Sequence, residues 1–296
     1  MGNFRSGNGE RKGPVDPHSN GTPARGLVDA AAAAELKEAS ELLAEEGRER
    51  DVIDMCVPLL RTFEHNEDYD HLVDCLFTIG EACYHLGDWP NAEKYMARAA
   101  ELGYRYFKDE MSSYPLKVVG EAQFEQGKEE AALATFRERL HLLRREDNVD
   151  ELGSALFDVG GMLVNTGHYD DAIAMLREAY RVLGTRRAEL ERQLSGEDGA
   201  GSEDDDLPGA VEALKVDEAE TLYHIAIANY RKDDLEEALV FLRRALERFS
   251  ELSEDMQEQV SDRIVAVLDD LVQVSETLED YASAEVYRRR RDELNL

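Results

Sequence analysis

The feature that most constrains this chain is a step of 40 residues. Gly80, Gly120 and Gly160 fall on it, as do Trp89, Glu129 and Tyr169, and Ala92, Ala132 and Ala172. Self-similarity at an interval of roughly 20–50 residues marks a stacked array, in which each unit covers the apolar face its neighbour leaves open. Leu76, Ile79, Gly80 and Cys83 occupy i, i+3, i+4 and i+7, one stripe of a helix. Strand-like alternation is absent, so the chain reads as helical almost throughout from Leu27. Glycine inside a helix costs about 1 kcal/mol against alanine. Its return at each step implies close approach of two backbones, and Gly80 is expected to face Ala92 across the turn.

Turn signals part the helices at Gly47, Gly87-Asp88, Gly127-Lys128, Gly167-His168, Asp233-Asp234 and Glu279-Asp280. Two segments break the pattern. Residues 1–26, rich in Gly, Asn, Ser and Pro, read as a disordered tail. Arg5, Arg11, Lys12 and Arg25 there oppose Glu10 and Asp16, a net charge of +2. Residues 195–209, SGEDGAGSEDDDLPG, hold four Gly and six acids without periodicity and read as a flexible acidic loop. The insertion shows in the spacing, because Ala172 to Ala238 is 66 residues, or 40 plus 26. The preceding helix is expected to overrun to about Leu194. Pro208 and Gly209 would close the loop, and the next helix would run from about Val211.

Each unit is thus a first helix, a tight turn and a second helix. Leu76, Ile79, Gly80, Cys83, Gly87, Ala92, Met96 and Ala99 carry the pattern in the second unit. Leu156, Val159, Gly160, Leu163, Gly167, Tyr169, Ala172, Leu176 and Ala179 carry it in the fourth. This pattern resembles the tetratricopeptide repeat family in a long-unit form. The sole Trp, Trp89, opens a second helix rather than sitting at the family's first-helix position. The resemblance implies an all-α, right-handed α-α superhelix of about six helical hairpins over residues 27–296, with weaker units at both ends.

In the family the first helix of each unit lines the concave surface. The resemblance therefore implies a groove lined by Phe77, Glu81 and Tyr84, then Lys117, Glu121 and Phe124, then Phe157, and finally Tyr223 and Tyr230. Asp74, Tyr114, Gly161, Val164, Glu220 and Ile227 map to the same face. Packing of some of these aromatic rings against neighbouring helices is the alternative. Aromatic anchors commonly dominate recognition, and Glu81 and Glu121 would select basic groups. The expected function is a non-catalytic scaffold that binds a peptide or helix of a partner protein. The alternatives are a peptide-switched regulator of a signalling or transcription protein, and a self-assembling repeat protein.

Composition narrows the partner. With 65 Asp plus Glu against 34 Lys plus Arg, the formal charge is -31. Such a surface repels nucleic acid and anionic lipid, and suits a basic or amphipathic protein partner. Lysines number 8 and arginines 26; salt adaptation and a GC-rich genome both favour that balance. The three cysteines, Cys56, Cys75 and Cys83, include no CxxC pair, which points to reduced thiols and a cytoplasmic setting. No stretch approaches the roughly 20 apolar residues of a membrane span. His71 and Cys75 are four apart on one helix, but no further ligands accompany them, so no metal or other cofactor is expected. Phosphate-loop and nucleophile-elbow motifs are absent, which argues against an enzyme. Arg288 to Arg291 lie in the last helix, where favourable charge near a helix C-terminus is the simplest role. A broad apolar face on Ile264, Val265, Val267, Leu268, Leu271, Val272 and Val274 would support a weak homodimer; a monomer is the other expectation.

Overall fold

The computed structural model describes residues 30–43, 47–107, 113–146, 148–195 and 206–294. The tail expected at 1–26 and positions 196–205 of the acidic loop lie outside them. The described residues form thirteen helices and no strand. In chain order these are α1 (Ala30–Leu43), α2 (Glu49–His65), α3 (Tyr69–His85), α4 (Trp89–Phe107), α5 (Ser113–Glu125), α6 (Glu129–Glu146) and α7 (Val149–Asn165). There follow α8 (Tyr169–Ser195), α9 (Leu207–Arg231), α10 (Leu235–Ser250), α11 (Glu254–Gln259), α12 (Ser261–Thr277) and α13 (Tyr281–Leu294). Each helix packs on the next, and α10 reaches past the short α11 to α12. The result is the expected all-α repeat superhelix, with hairpins α1–α2, α3–α4, α5–α6, α7–α8, α9–α10 and α12–α13.

The six turns within hairpins share one backbone device. Gly47, Gly87, Gly127 and Gly167 take φ values of +83°, +70°, +73° and +82°, and Asp233 and Glu279 take +68° and +61°. A left-handed residue just past a helix lets the next amide reach back to the last free carbonyls. The Asp88 amide donates to the Cys83 carbonyl at 2.9 Å, and the Asp234 amide to Asn229 at 2.9 Å. Those aspartates then cap the following helix: Asp234 accepts from the Glu237 amide, and Asp280 from the Ser283 amide at 3.1 Å. One short segment therefore ends one helix and starts the next.

The recurrent glycines pack as the spacing requires. A Cβ on Gly80 would lie 2.6 Å from Met96 Cγ, one on Gly120 would lie 2.7 Å from Phe136 Cε2, and one on Gly160 would lie 2.5 Å from Leu176 Cγ. In each case a large side chain of the second helix, one turn past its buried alanine, fills the place the glycine leaves. Helix α8 overruns to Ser195, as expected. Helix α9 starts at Leu207, earlier than Val211, because Pro208 sits in its first turn. There the missing amide is harmless and φ is preset for a helix.

The core is two clusters, not one. The first runs from Ala32 to Ala122 and the second from Ala132 to Val274, so they meet between α5 and α6. A polar junction spans the same place. Arg139 of α6, only 4% exposed, donates to Asp158 of α7 at 3.1 Å and to Ser113 of α5 at 3.3 Å, and lies 3.6 Å from Glu151 of α7. The Ser113 hydroxyl donates to Glu151 at 2.6 Å.

At the end of the array, Ile264, Val267, Leu268, Leu271, Val272 and Val274 are buried in the chain's own core. The apolar face expected to support self-association is thus already covered. Arg288 pairs with Glu276 and Glu285, and Arg291 with Asp269, so part of the arginine run fastens α13 to α12. The cysteines are buried and free, and Cys75 Sγ donates to the Cys56 carbonyl at 3.3 Å.

Candidate functional site

Along the first helices the groove residues follow the packing residues by one position: Phe77 follows Leu76, Glu81 follows Gly80 and Tyr84 follows Cys83. Such residues sit about 100° around the helix from the buried stripe, half in and half out of solvent. Between α5 and α7 this face opens into a cleft of about 360 Å³. Its walls are Tyr84 and Trp89 on one side, Glu121, Phe124 and Glu125 of α5, and Phe157, Asp158, Gly161 and Asn165 of α7. The buried Phe136 and Met162 also line it. A second cleft, of about 440 Å³, shares Gly161 and Asn165 and adds Val164, Tyr223, His224, Ile227, Tyr230, Arg231 and Asp270. A third, of about 420 Å³, shares Phe157 with the first and Tyr223 and His224 with the second, and adds Glu220 and Arg263.

Two adjacent glycines divide the labour on α7. Gly160 is pressed against Leu176, whereas a Cβ on Gly161 would meet nothing within 4 Å. Packing explains the first and not the second. Gly161 is the bare saddle over which the first two clefts join.

The groove holds carboxylates that are short of counter-charge. Burial raises the Glu121 carboxyl above its ordinary range, opposed by the Tyr84 hydroxyl and by Lys117 at 3.8 Å. Burial and Glu121 together push the Tyr84 phenol up to about 12. Asp270 is likewise raised by burial, although the Tyr223 hydroxyl donates to it at 2.8 Å. Asp74, Asp217 and Glu220 are raised by burial as well. Burial pushes His224 down to about 4, and its ring meets Phe157 edge-on at 4.8 Å. Desolvation penalises the charged form. Glu220 is already paired with Arg263; the Glu121 and Asp270 carboxylates would be eased by a cation brought from outside.

The structure unites six of the nine residues expected in the groove. Tyr84, Glu121, Phe124 and Phe157 line the first cleft, and Tyr223 and Tyr230 the second. Phe77 instead packs on Tyr114 at 5.3 Å, and Glu81 accepts from the Tyr114 hydroxyl at 2.9 Å. Lys117 stands beside Glu121 without lining the clefts. Trp89, Asp158, Asn165, His224 and Asp270 complete the clefts and were not anticipated there. A signal existed for three of them. Asp158, His224 and Asp270 share one repeat position, two residues before the small or apolar packing residue. Among the described residues no group of three His, Cys, Asp or Glu could hold a metal ion. His71 faces Asp68 at 2.9 Å while Cys75 turns into the core. No described helix is long and apolar enough to cross a membrane.

Comparison with known proteins agrees with this architecture. Residues 220–251, from the later part of α9 through α10, match the sequence model of the tetratricopeptide repeat. No curated protein matches the chain. Among solved structures, BtubC (BKLC) from P. vanneervenii aligns with a TM-score of 0.59 at 16% identity, over 90% of this chain and 92% of that one. RapI in its apo form aligns at 0.58 and 11% identity, over 90% and 97%. The signal-transduction ATPase with a tetratricopeptide repeat sensor from Pyrococcus horikoshii aligns at 0.63 and 14%, over 88% of this chain and 35% of that one. The chain is a tetratricopeptide-like repeat protein in fold.

Proposed function

We propose that the protein is a non-catalytic interaction scaffold that holds an extended segment of a basic or amphipathic partner protein along its inner groove. The observation that carries this reading is the saddle at Gly161. Two clefts of about 360 and 440 Å³ share Gly161 and Asn165, and a Cβ at Gly161 would meet nothing within 4 Å. Together they suit a chain that runs on rather than a compact small molecule. The aromatic residues Tyr84, Phe124, Phe157, Tyr223 and Tyr230 offer desolvated anchors, and the carboxylates offer charge selection. The repeat array of the Pyrococcus horikoshii ATPase is described as a sensor, a role compatible with ligand capture by the same architecture. A peptide-switched regulator is the form the scaffold would take if capture alters another partner's access.

The test is selection of a random peptide library on the wild-type protein, with Gly161→Trp as the counter-target. That substitution places an indole in the saddle from a position whose Cβ would meet nothing within 4 Å. Peptides retained by wild type and lost by Gly161→Trp, with unchanged helicity, are the expected outcome. Selected peptides that bind both proteins equally would place the site elsewhere and overturn the proposal.

A further inference from the structure

We infer that the first cleft is a cage for one positively charged side chain of the bound segment, a guanidinium or alkylammonium held between aromatic rings and carboxylates. This deepens the groove reading above and rests on it. The lining holds the rings of Tyr84, Trp89, Phe124 and Phe157, the carboxylates of Glu121, Glu125 and Asp158, and no lysine or arginine. A cation over aromatic faces gains from the ring quadrupole, and gains more when desolvated. Carboxylates at the rim add charge-assisted hydrogen bonds and fix the direction of approach.

The surrounding charges leave room for that cation. Asp158 is already held by Arg139 at 3.1 Å. Glu121 has Lys117 only at 3.8 Å, and Glu125 has no ion pair among the described residues. Burial raises the Glu121 carboxyl despite Tyr84, Lys117 and Arg139, and a cation in the cleft would offset that penalty. The rings are braced in advance: Tyr84 and Trp89 meet edge to face at 5.5 Å, and Phe157 rests on His224 at 4.8 Å. A site whose walls are held in place by other contacts loses little freedom when it is filled. The open saddle at Gly161 makes a peptide-borne cation the occupant, in preference to a free one such as choline.

The sole tryptophan of the chain lies in this cleft, so its fluorescence reports occupancy. The probes are short Gly/Ser peptides carrying one central Arg, Lys, citrulline or norleucine between two leucines, with choline as the free cation. Expected are saturable changes in Trp89 emission with the Arg and Lys peptides, and at least about tenfold weaker binding of the citrulline and norleucine peptides. Glu121→Gln combined with Glu125→Gln should reduce that preference severalfold at unchanged helicity and melting temperature. Equal binding of Arg and citrulline peptides would overturn the cage and leave the groove reading intact. Choline binding as tightly as the Arg peptide would overturn the peptide-borne source. If no peptide altered the emission or competed with a selected library peptide, the cage would fall; the groove reading falls separately, if selected peptides bind wild type and Gly161→Trp equally.

Discussion

Gly160 and Gly161 are neighbours with opposite reasons to be glycine. Replacing Gly160 by Ala drives a methyl group into Leu176, 2.5 Å away, and should destabilise by about 1–3 kcal/mol. Replacing Gly161 by Ala meets open space and should stabilise by about 0.5–1 kcal/mol through helix propensity. Paired thermal melts read both; equal signs for the two would refute the distinction. The 40-residue step revealed Gly160, because packing repeats. Gly161 was legible only as a mapped inner-face position, since its reason for being small lies in space that nothing local encodes. His224 belongs to the same scale. Its folded value of about 4 lies below the ordinary 6.5. Stability from the neutral buried ring is therefore complete above about pH 6.5 and is lost as pH falls toward 4, up to about 3 kcal/mol. The raised carboxylates slope the other way, so the informative quantity is the difference between wild type and His224→Phe. That difference should change between pH 6.5 and 4 and be flat above; no change in that window would refute the buried neutral imidazole.

At the scale of the helix, turns and boundaries were the most legible part of the fold. All six expected turns fall on left-handed residues, four of them glycine, with Asp233 and Glu279 at the other two; the glycines answer a backbone demand that the residue type itself reveals. The start of α9 was less legible: Pro208 can end a loop or open a helix, and only the context decides. The groove was half legible for a related reason. Helical spacing told which residues leave the packing stripe, but not that Tyr114 would take up Phe77 and Glu81, since that contact joins two units. Least legible was the α5–α6–α7 junction, since nothing in the sequence around Arg139 marks it as buried. Removing it leaves Asp158 without its guanidinium partner, while the Ser113 hydroxyl keeps Glu151. We expect Arg139→Met to cost about 1–3 kcal/mol, below the full price of breaking a buried pair because Glu151 and Asp158 are partly exposed. Hydrogen exchange should quicken in α5 to α7 first; uniform quickening would argue against a local role for the junction.

For the whole molecule, a charge of -31 means net self-repulsion, although the α5–α6 hairpin itself carries as many Lys and Arg as Glu. Raising salt from about 0.1 M to 1 M shrinks the screening length from about 10 Å to 3 Å. The melting temperature should rise over that range in sodium chloride; a fall would show that the ion pairs outweigh the net repulsion. Hairpins touch their neighbours in order, and the apolar core changes hands between α5 and α6. Under tension such an array behaves as a spring whose coils are not equally stiff. A pull applied at its two ends would open first where Arg139 replaces greasy contact, lengthening the molecule at the very gap that the first cleft occupies. A ligand wedged there would act as a clasp, so that force and occupancy oppose one another.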